Sequence, residues 1–235
     1  MILLSALALA AEADLGVLLD KVDDVARGGS SHALITMAVK TDRYERTVQL
    51  EVWSEGSDKS LVVIREPAKE AGVATLMVGD QLWNYMPRVD RTVKLPAAMM
   101  SDGWMGSHVT NDDLVKSSRM ADDYDAELRH QPDATHSTWM LSLTPKPEAP
   151  VVWGRLEVEL TADELPLAIA YYDEDGRLER TMSWEDPRDF DGRRVPAVLL
   201  VKPADSSEYT RITYDSLAFD MVHDPSTFTL QALRR

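Results

Sequence analysis

Apolar residues recur at two different spacings along this chain. In DLGVLLDKVDDVAR, residues 14–27, Leu15, Leu18, Leu19, Val22, Val25 and Ala26 fall three or four apart, with charged residues between them. That spacing places them on one face of a helix, and Gly28-Gly29 supplies the stop. Beyond it the period becomes two. In ERTVQLEVW, Val48, Leu50 and Val52 alternate with Thr47, Gln49 and Glu51; in GRLEVEL, Leu156, Val158 and Leu160 alternate with Arg155, Glu157 and Glu159. Each pattern reads as a strand with one face on a core and the other in water. RLERTMSW carries the alternation with one break, because Arg180 shares the face of Leu178, Met182 and Trp184.

Further strands are predicted at SLVVIRE (60–66), VATLMVG (73–79), TWMLSL (138–143), LAIAYY (167–172), VPAVLLV (195–201) and YTRITY (209–214). Asp175-Gly176 signals a tight hairpin, and Gly56, Gly72 and Gly192 mark other turns. About ten strands thus follow one helix, with no βαβ alternation and no repeat of fixed period, which predicts a single antiparallel, strongly curved sheet. An apolar sheet face must be covered. The covers on offer are the N-terminal helix and the stretch LPAAMMSDGWMGSHVTNDDL, residues 95–114.

That stretch is unusual for a loop. Five of the eleven methionines, Met77, Met86, Met99, Met100 and Met105, fall within residues 77–105, with Trp83, Tyr85 and Trp104 beside them. Methionine adapts to variable apolar partners, so the group reads either as the lid and rim of a hydrophobic cavity or as side chains that plug their own core. Gly103 and Gly106 flank Trp104-Met105 and would let that pair move. Small residues on the covered face, with Ala33, Ala38, Ala74, Ala168 and Ala170 as candidates, would leave space for a ligand. The basic residues Arg88, Arg91 and Lys94 either steer an anionic headgroup or a partner surface, or protect an exposed edge strand.

Composition narrows the function classes. With 235 residues, 44% hydrophobic and 28% charged, the chain is long enough for a sizeable core. A net charge of −15 argues against nucleic acid or an anionic membrane surface as partner. There is no cysteine, which excludes disulfides, thiol catalysis and a lipid anchor on a cysteine. Residues 1–11 are an expected signal peptide: the segment MILLSALALAAEAD opens on an apolar run and contains Ala8-Leu9-Ala10, a small-x-small cleavage pattern, although no basic residue precedes it. The run is too short to span a bilayer. Residues 12–235 then form one domain, soluble and periplasmic.

Enzyme signatures are missing. No H-E-x-x-H, G-x-S-x-G, P-loop or G-x-G-x-x-G occurs, so neither catalytic residues nor a cofactor is expected. His108 with Asp112 and Asp113 has a spacing that a metal would tolerate, but Thr110 or Asn111 capping a short helix is the simpler reading, and no metal is expected.

The stretch 79–114 resembles the outer-membrane lipoprotein-sorting proteins of the LolA-like superfamily. The residues that carry the resemblance are Trp83-Asn84-Tyr85-Met86-Pro87, the basic run from Arg88 to Lys94, and Trp104-Met105-Gly106-Ser107-His108 through Asp113-Leu114. His108 stands where an acid is commoner, and Asn111 where an aromatic is. Leu165-Pro166, the Tyr172 to Gly176 hairpin, Asp191 to Pro196 and the closing Phe228-Thr229-Leu230 follow the same family order, so the likeness spans roughly residues 14–235. It implies an incomplete antiparallel β-barrel of about 10–11 strands with an α-helical lid over a hydrophobic cavity. Met77, Trp83, Tyr85, Met86, Met99, Met100, Trp104 and Met105 would serve that cavity and its lid. It further implies a periplasmic carrier that takes acylated cargo, lipoprotein or lipid, from an inner-membrane ABC-type transporter towards the outer membrane. The alternative is a fully packed interaction module, accessory to such a transporter.

Overall fold

The computed structural model of the protein describes residues 14–116 and 119–234; the expected signal peptide lies outside them. Thirteen strands form one antiparallel sheet: β1 (Ser30–Lys40), β2 (Glu45–Glu55), β3 (Lys59–Glu66), β4 (Ala74–Val78), β5 (Gln81–Met86), β6 (Arg91–Lys94), β7 (Tyr124–His130), β8 (Thr138–Pro145), β9 (Arg155–Thr161), β10 (Pro166–Tyr172), β11 (Leu178–Phe190), β12 (Arg193–Pro203) and β13 (Tyr209–Phe219). Three short helices accompany them, α1 (Leu15–Asp24), α2 (Asn111–Lys116) and α3 (Met120–Asp123).

The spatial order is β6-β5-β4-β3-β2-β1-β13-β12-β11-β10-β9-β8-β7. The chain therefore starts mid-sheet at β1 and steps by hairpins to the β6 edge. It crosses over with residues 95–123 to β7 at the opposite edge, then steps back until β13 pairs with β1. The sheet is open, the half-barrel that the resemblance implies. It has more strands than the alternation alone predicts. In β5, Leu82 faces inward while Trp83 and Tyr85 pack outward, so apolar residues on both faces hide the period of two. In β1, outward Leu34 and Ala38 blur it in the same way.

Register assigns the faces. Ala33, Ile35, Met37 and Val39 of β1 stand opposite Val52, Leu50, Val48 and Arg46 of β2, and Ala33, Ile35 and Met37 face Leu217, Tyr214 and Ile212 of β13. These residues line the inner face, which α1 and the crossover cover. On the outer face, Leu61, Val63, Ala74 and Leu76 pack at one end beneath Phe228, Ala232 and Leu233 of the C-terminal segment.

The helices start where the local chemistry favours it. Asp14 caps α1 by accepting the Gly16 and Val17 amides at 3.0 and 3.3 Å, and Leu18, Leu19 and Val22 are buried. Burial of each such side chain stabilises by about 1.5–3 kcal/mol. Thr110 caps α2: its hydroxyl accepts the Asp113 amide at 3.1 Å, and the Asp113 carboxylate accepts the Thr110 amide at 2.7 Å, a reciprocal capping box.

Asp113 is also the partner of the residue that broke the alternation. Arg180 in β11 faces inward, is 6% exposed, and donates to both Asp113 carboxylate oxygens at 2.5 and 2.7 Å. Its guanidinium lies 4.2 Å from the Tyr171 ring centre and 4.8 Å from that of Trp153. Burial opposes the Arg180 charge, and the Asp113 bonds outweigh that cost, holding its pKa above the ordinary value. The pair fastens the crossover to the sheet.

Removing one partner strands the other charge. Arg180→Met is expected to lower unfolding free energy by about 3–5 kcal/mol, and Arg180→Met with Asp113→Asn by clearly less. Urea denaturation of the two variants measures the difference; equal losses would show that the buried charge is not what matters.

Candidate functional site: a covered cavity

A cavity of about 270 Å³ lies between the sheet and its cover. Its floor is the inner face of β9 to β13, through Leu156, Ile169, Met182, Trp184, Leu199, Ile212 and Tyr214. Val22, Val25 and Ala26 beyond and within α1, Met120 of α3, and Trp104, Val109 and Leu114 of the crossover roof it. Residues 151–153 close one side, where Val152 is 62% exposed. The lining is mostly apolar, as a binding site for an apolar ligand requires.

Charged groups gather on the helical side. Asp113 is held by Arg180, and Asp123, itself buried, lies 3.5 Å from Arg119. Arg27 donates to the Ser57 carbonyl at 3.2 Å. Asp23 accepts the Met120 amide, while its Oδ1 is enclosed without a hydrogen-bond partner. Burial pushes the Asp23 carboxyl up to about 8 despite the nearby Arg27, so at neutral pH it is mainly uncharged. Burial likewise pushes the hydroxyls of Tyr124, Tyr171 and Tyr214 above the ordinary tyrosine value. The cavity thus presents paired charges and neutral groups around an apolar interior.

The structure disperses the residues that the sequence grouped. Trp104 alone of the eight lines the cavity. Its ring is 4% exposed, and Nε1 donates to Thr75 Oγ1 at 3.0 Å. Met77 is packed with Leu82 and Val115, with Met100 against that cluster, and so fills its own core. Trp83 and Tyr85 face the opposite side of the sheet under the C-terminal segment. Met86 and Met99 are exposed. Met105 packs beside β1 and β2, not in the cavity.

The glycines around Trp104 serve a fixed turn. Met105 and Gly106 have positive φ, and a Cβ on Gly103 would come within 2.4 Å of the Ser107 carbonyl oxygen. Arg46 donates to the Met105 carbonyl, and the Tyr44 hydroxyl to that of Gly106 at 2.5 Å. With the Trp104 indole bond to Thr75, three hydrogen bonds hold the turn on the sheet.

Arg91 and Lys94 lie on the edge strand β6, and Arg88 just before it donates to the Lys69 carbonyl at 2.7 Å; none borders the cavity. His108 bonds Thr210 at 2.9 Å and approaches Glu208 at 3.3 Å, while Asp113 serves Arg180, so these residues do not converge on a metal position. Among the described residues no cluster of three or more His, Asp or Glu could hold a metal ion. Of the alanines, Ala33 faces inward, whereas Ala38, Ala74, Ala168 and Ala170 face outward. The open space comes from incomplete filling between α1, α3 and β9 to β13. One signal for it was available: Asp23 interrupts the apolar face of α1 between Leu19 and Ala26.

An open antiparallel half-barrel with helices over an apolar cavity is the fold of the LolA-like proteins. Three solved structures share it. A domain from Vibrio parahaemolyticus described as outer membrane lipoprotein-sorting superposes with a TM-score of 0.79 at 20% identity, covering 94% of this chain and 99% of that one. A DUF1329 family protein from Desulfovibrio piger gives 0.82 at 22%, covering 93% and 97%. A LolA superfamily protein from Nitrosomonas europaea gives 0.73 at 24%, covering 92% and 97%. No curated protein matches the chain. A family model described as "Uncharacterized protein" matches residues 56–235, well over half of the length, and the chain belongs to that family. No helix among the described residues is long and apolar enough to cross a membrane.

The enclosed carboxyl makes a pH prediction. Asp23 has a raised folded pKa, so between about pH 4 and pH 8 the folded state holds a proton that the unfolded state has released. Its contribution therefore costs stability progressively as pH rises, by up to about 1.4 kcal/mol per pH unit. Asp23→Asn should become more stable relative to the wild type as pH climbs from 4 to 8. Denaturation midpoints across that range measure it, and parallel curves would refute the assignment.

Proposed function

We propose that the protein is an exported periplasmic carrier that holds an acyl chain of lipid or lipoprotein cargo in this cavity, for transfer towards the outer membrane. The observation that carries the reading is the apolar space of about 270 Å³ left between the helices and the β9 to β13 floor. Support comes from the shared fold with proteins described as lipoprotein-sorting and LolA superfamily. Asp113 and Asp123 are engaged by Arg180 and Arg119, and no nucleophile–base arrangement among the described lining residues favours catalysis.

The energetics suit a carrier. Each methylene removed from water contributes about 0.8 kcal/mol, so a covered apolar floor competes with a bilayer by burying much of a chain. Release then needs a change that reduces the burial. The natural moving part is the roof from α1 and α3, because the turn around Trp104 is tied to the sheet. An inner-membrane ABC-type transporter is the source of cargo that the reading calls for.

The alternative, an interaction module accessory to such a transporter, is favoured by one surface. Exposed Met86, Val89 and Met99 lie with Arg88, Arg91 and Lys94 around the β5–β6 edge, where a protein could dock.

Titration with a fluorescent fatty acid separates the two. The wild type is expected to take up about one probe per chain, and Leu199→Trp, which fills the floor, to lose affinity by about tenfold or more. Native mass spectrometry of protein from a periplasmic fraction should show a co-purifying acylated species. No uptake by the wild type, or uptake unchanged in Leu199→Trp, would leave the docking module as the better reading.

A further inference from the structure

The inner face of the sheet extends from β6 to β7, yet the cavity occupies only the part over β9 to β13. The remainder is filled by the protein itself. Trp104 packs with Val62 and Ile64 over β3, and Met77 with Leu82 continues the filling towards the β6 edge.

Trp104 belongs to both regions. Its ring forms one wall of the cavity, and the same ring is a buried member of the packed cluster on the other side. It is held in place as well as wedged: Nε1 donates to Thr75 Oγ1, and the Thr75 hydroxyl donates to Asn84 Oδ1 at 2.8 Å. Thr75 and Asn84 lie opposite one another on β4 and β5, so the indole is moored to the floor of the filled part. The turn that carries it is bound by Arg46 of β2 and by Tyr44 in the turn just before that strand. A side chain so fixed acts as a partition.

The open compartment is small. Sites for small molecules run from about 300 to 1,000 Å³, and this one, at about 270 Å³, lies below that range. We propose that Trp104 is the capacity-setting residue of the site, limiting it to one acyl chain, so that its substrate class is the single-chain amphiphile and not cargo with two or three chains inside. This rests on the carrier reading and specifies the ligand that the reading leaves open.

Removing the indole would join the two regions. Trp104→Ala takes away the largest side chain of the partition and leaves a void that neighbours close only in part, contiguous with the existing cavity. Trp104→Phe keeps most of the bulk and loses only the N–H bond to Thr75. The capacity should therefore follow side-chain volume and not the hydrogen bond.

The test is displacement of a bound fluorescent fatty acid by a lysophosphatidylcholine and by the two-chain phosphatidylcholine with the same head, both below their micelle concentrations. Native mass spectrometry counts the bound molecules. The wild type and Trp104→Phe are expected to prefer the single-chain lipid by about tenfold or more. In Trp104→Ala the preference should shrink to about threefold or less through tighter binding of the two-chain lipid. Should Trp104→Ala fail to fold, Trp104→Leu carries the same comparison. A wild type that binds both lipids equally, or a folded small-residue variant with unaltered preference, overturns the partition while leaving the carrier intact. A wild type that binds neither lipid nor probe overturns the carrier reading itself, and the partition with it.

Discussion

The buried pair of Arg180 and Asp113 joins the two parts of the molecule that must stay in register, the sheet and the segment crossing it. An arginine placed among apolar residues of a strand is costly unless it is fully engaged. Here its two terminal nitrogens bond the carboxylate at the capped end of α2 and its plane lies against Tyr171 and Trp153, with only Nε left without a hydrogen-bond partner. The carboxylate that neutralises it is also the one that caps α2. One interaction thus sets where α2 begins and how far above the floor it sits. Asp113 and Leu114 at that end of α2 border the cavity, so the pair fixes one part of its roof.

Given that height, the inner face divides according to what the crossover brings. Over β3 to β5 it delivers Trp104, Met100 and Val115, which fill the space. Over β9 to β13 the cover is α1 and α3, short helices presenting Val22, Val25, Ala26 and Met120. Medium-sized side chains on short helices leave a gap, and a gap lined by apolar groups is a place where a ligand gains more than water does. At its margin Asp113 is held by Arg180 and Asp123 lies beside Arg119, while the Asp23 carboxyl stays enclosed and is kept mainly neutral by burial.

Much of the architecture could be read from the chain. Period-two stretches such as those of β2 and β9 mark half-buried strands directly, and the α1 stripe marks its helix. Where a strand is apolar on both faces, as β5 is, periodicity cannot say which residues face the ligand side. For that reason Trp83 and Tyr85, grouped with the methionines by proximity in sequence, lie on the opposite face from Trp104. The family motif around Trp104 located one wall of the cavity, but its floor, from Leu156 to Tyr214, comes from strands much later in the chain, and only strand order brings the two together. Arg180 was visible as a broken pattern; its partner Asp113, sixty-seven positions earlier, was not, since no local rule links a strand residue to a distant helix cap.

The strand order has a consequence for how the chain matures. β1 is made first and β13 last, and they are neighbours at the centre of the sheet. Every other ladder joins strands adjacent in sequence, and forms from nearby residues at little loop-closure cost. The central seam closes only when residues 209–219 are present. A chain delivered N-terminus first therefore holds a finished ladder from β1 to β6 whose β1 flank is bare, a long row of unpaired amides and carbonyls open to any passing strand. Synthesis leaves that flank uncovered for nearly the whole length of the protein, which makes prompt arrival of the C-terminal strand, or a chaperone over β1, the safeguard against pairing with another chain.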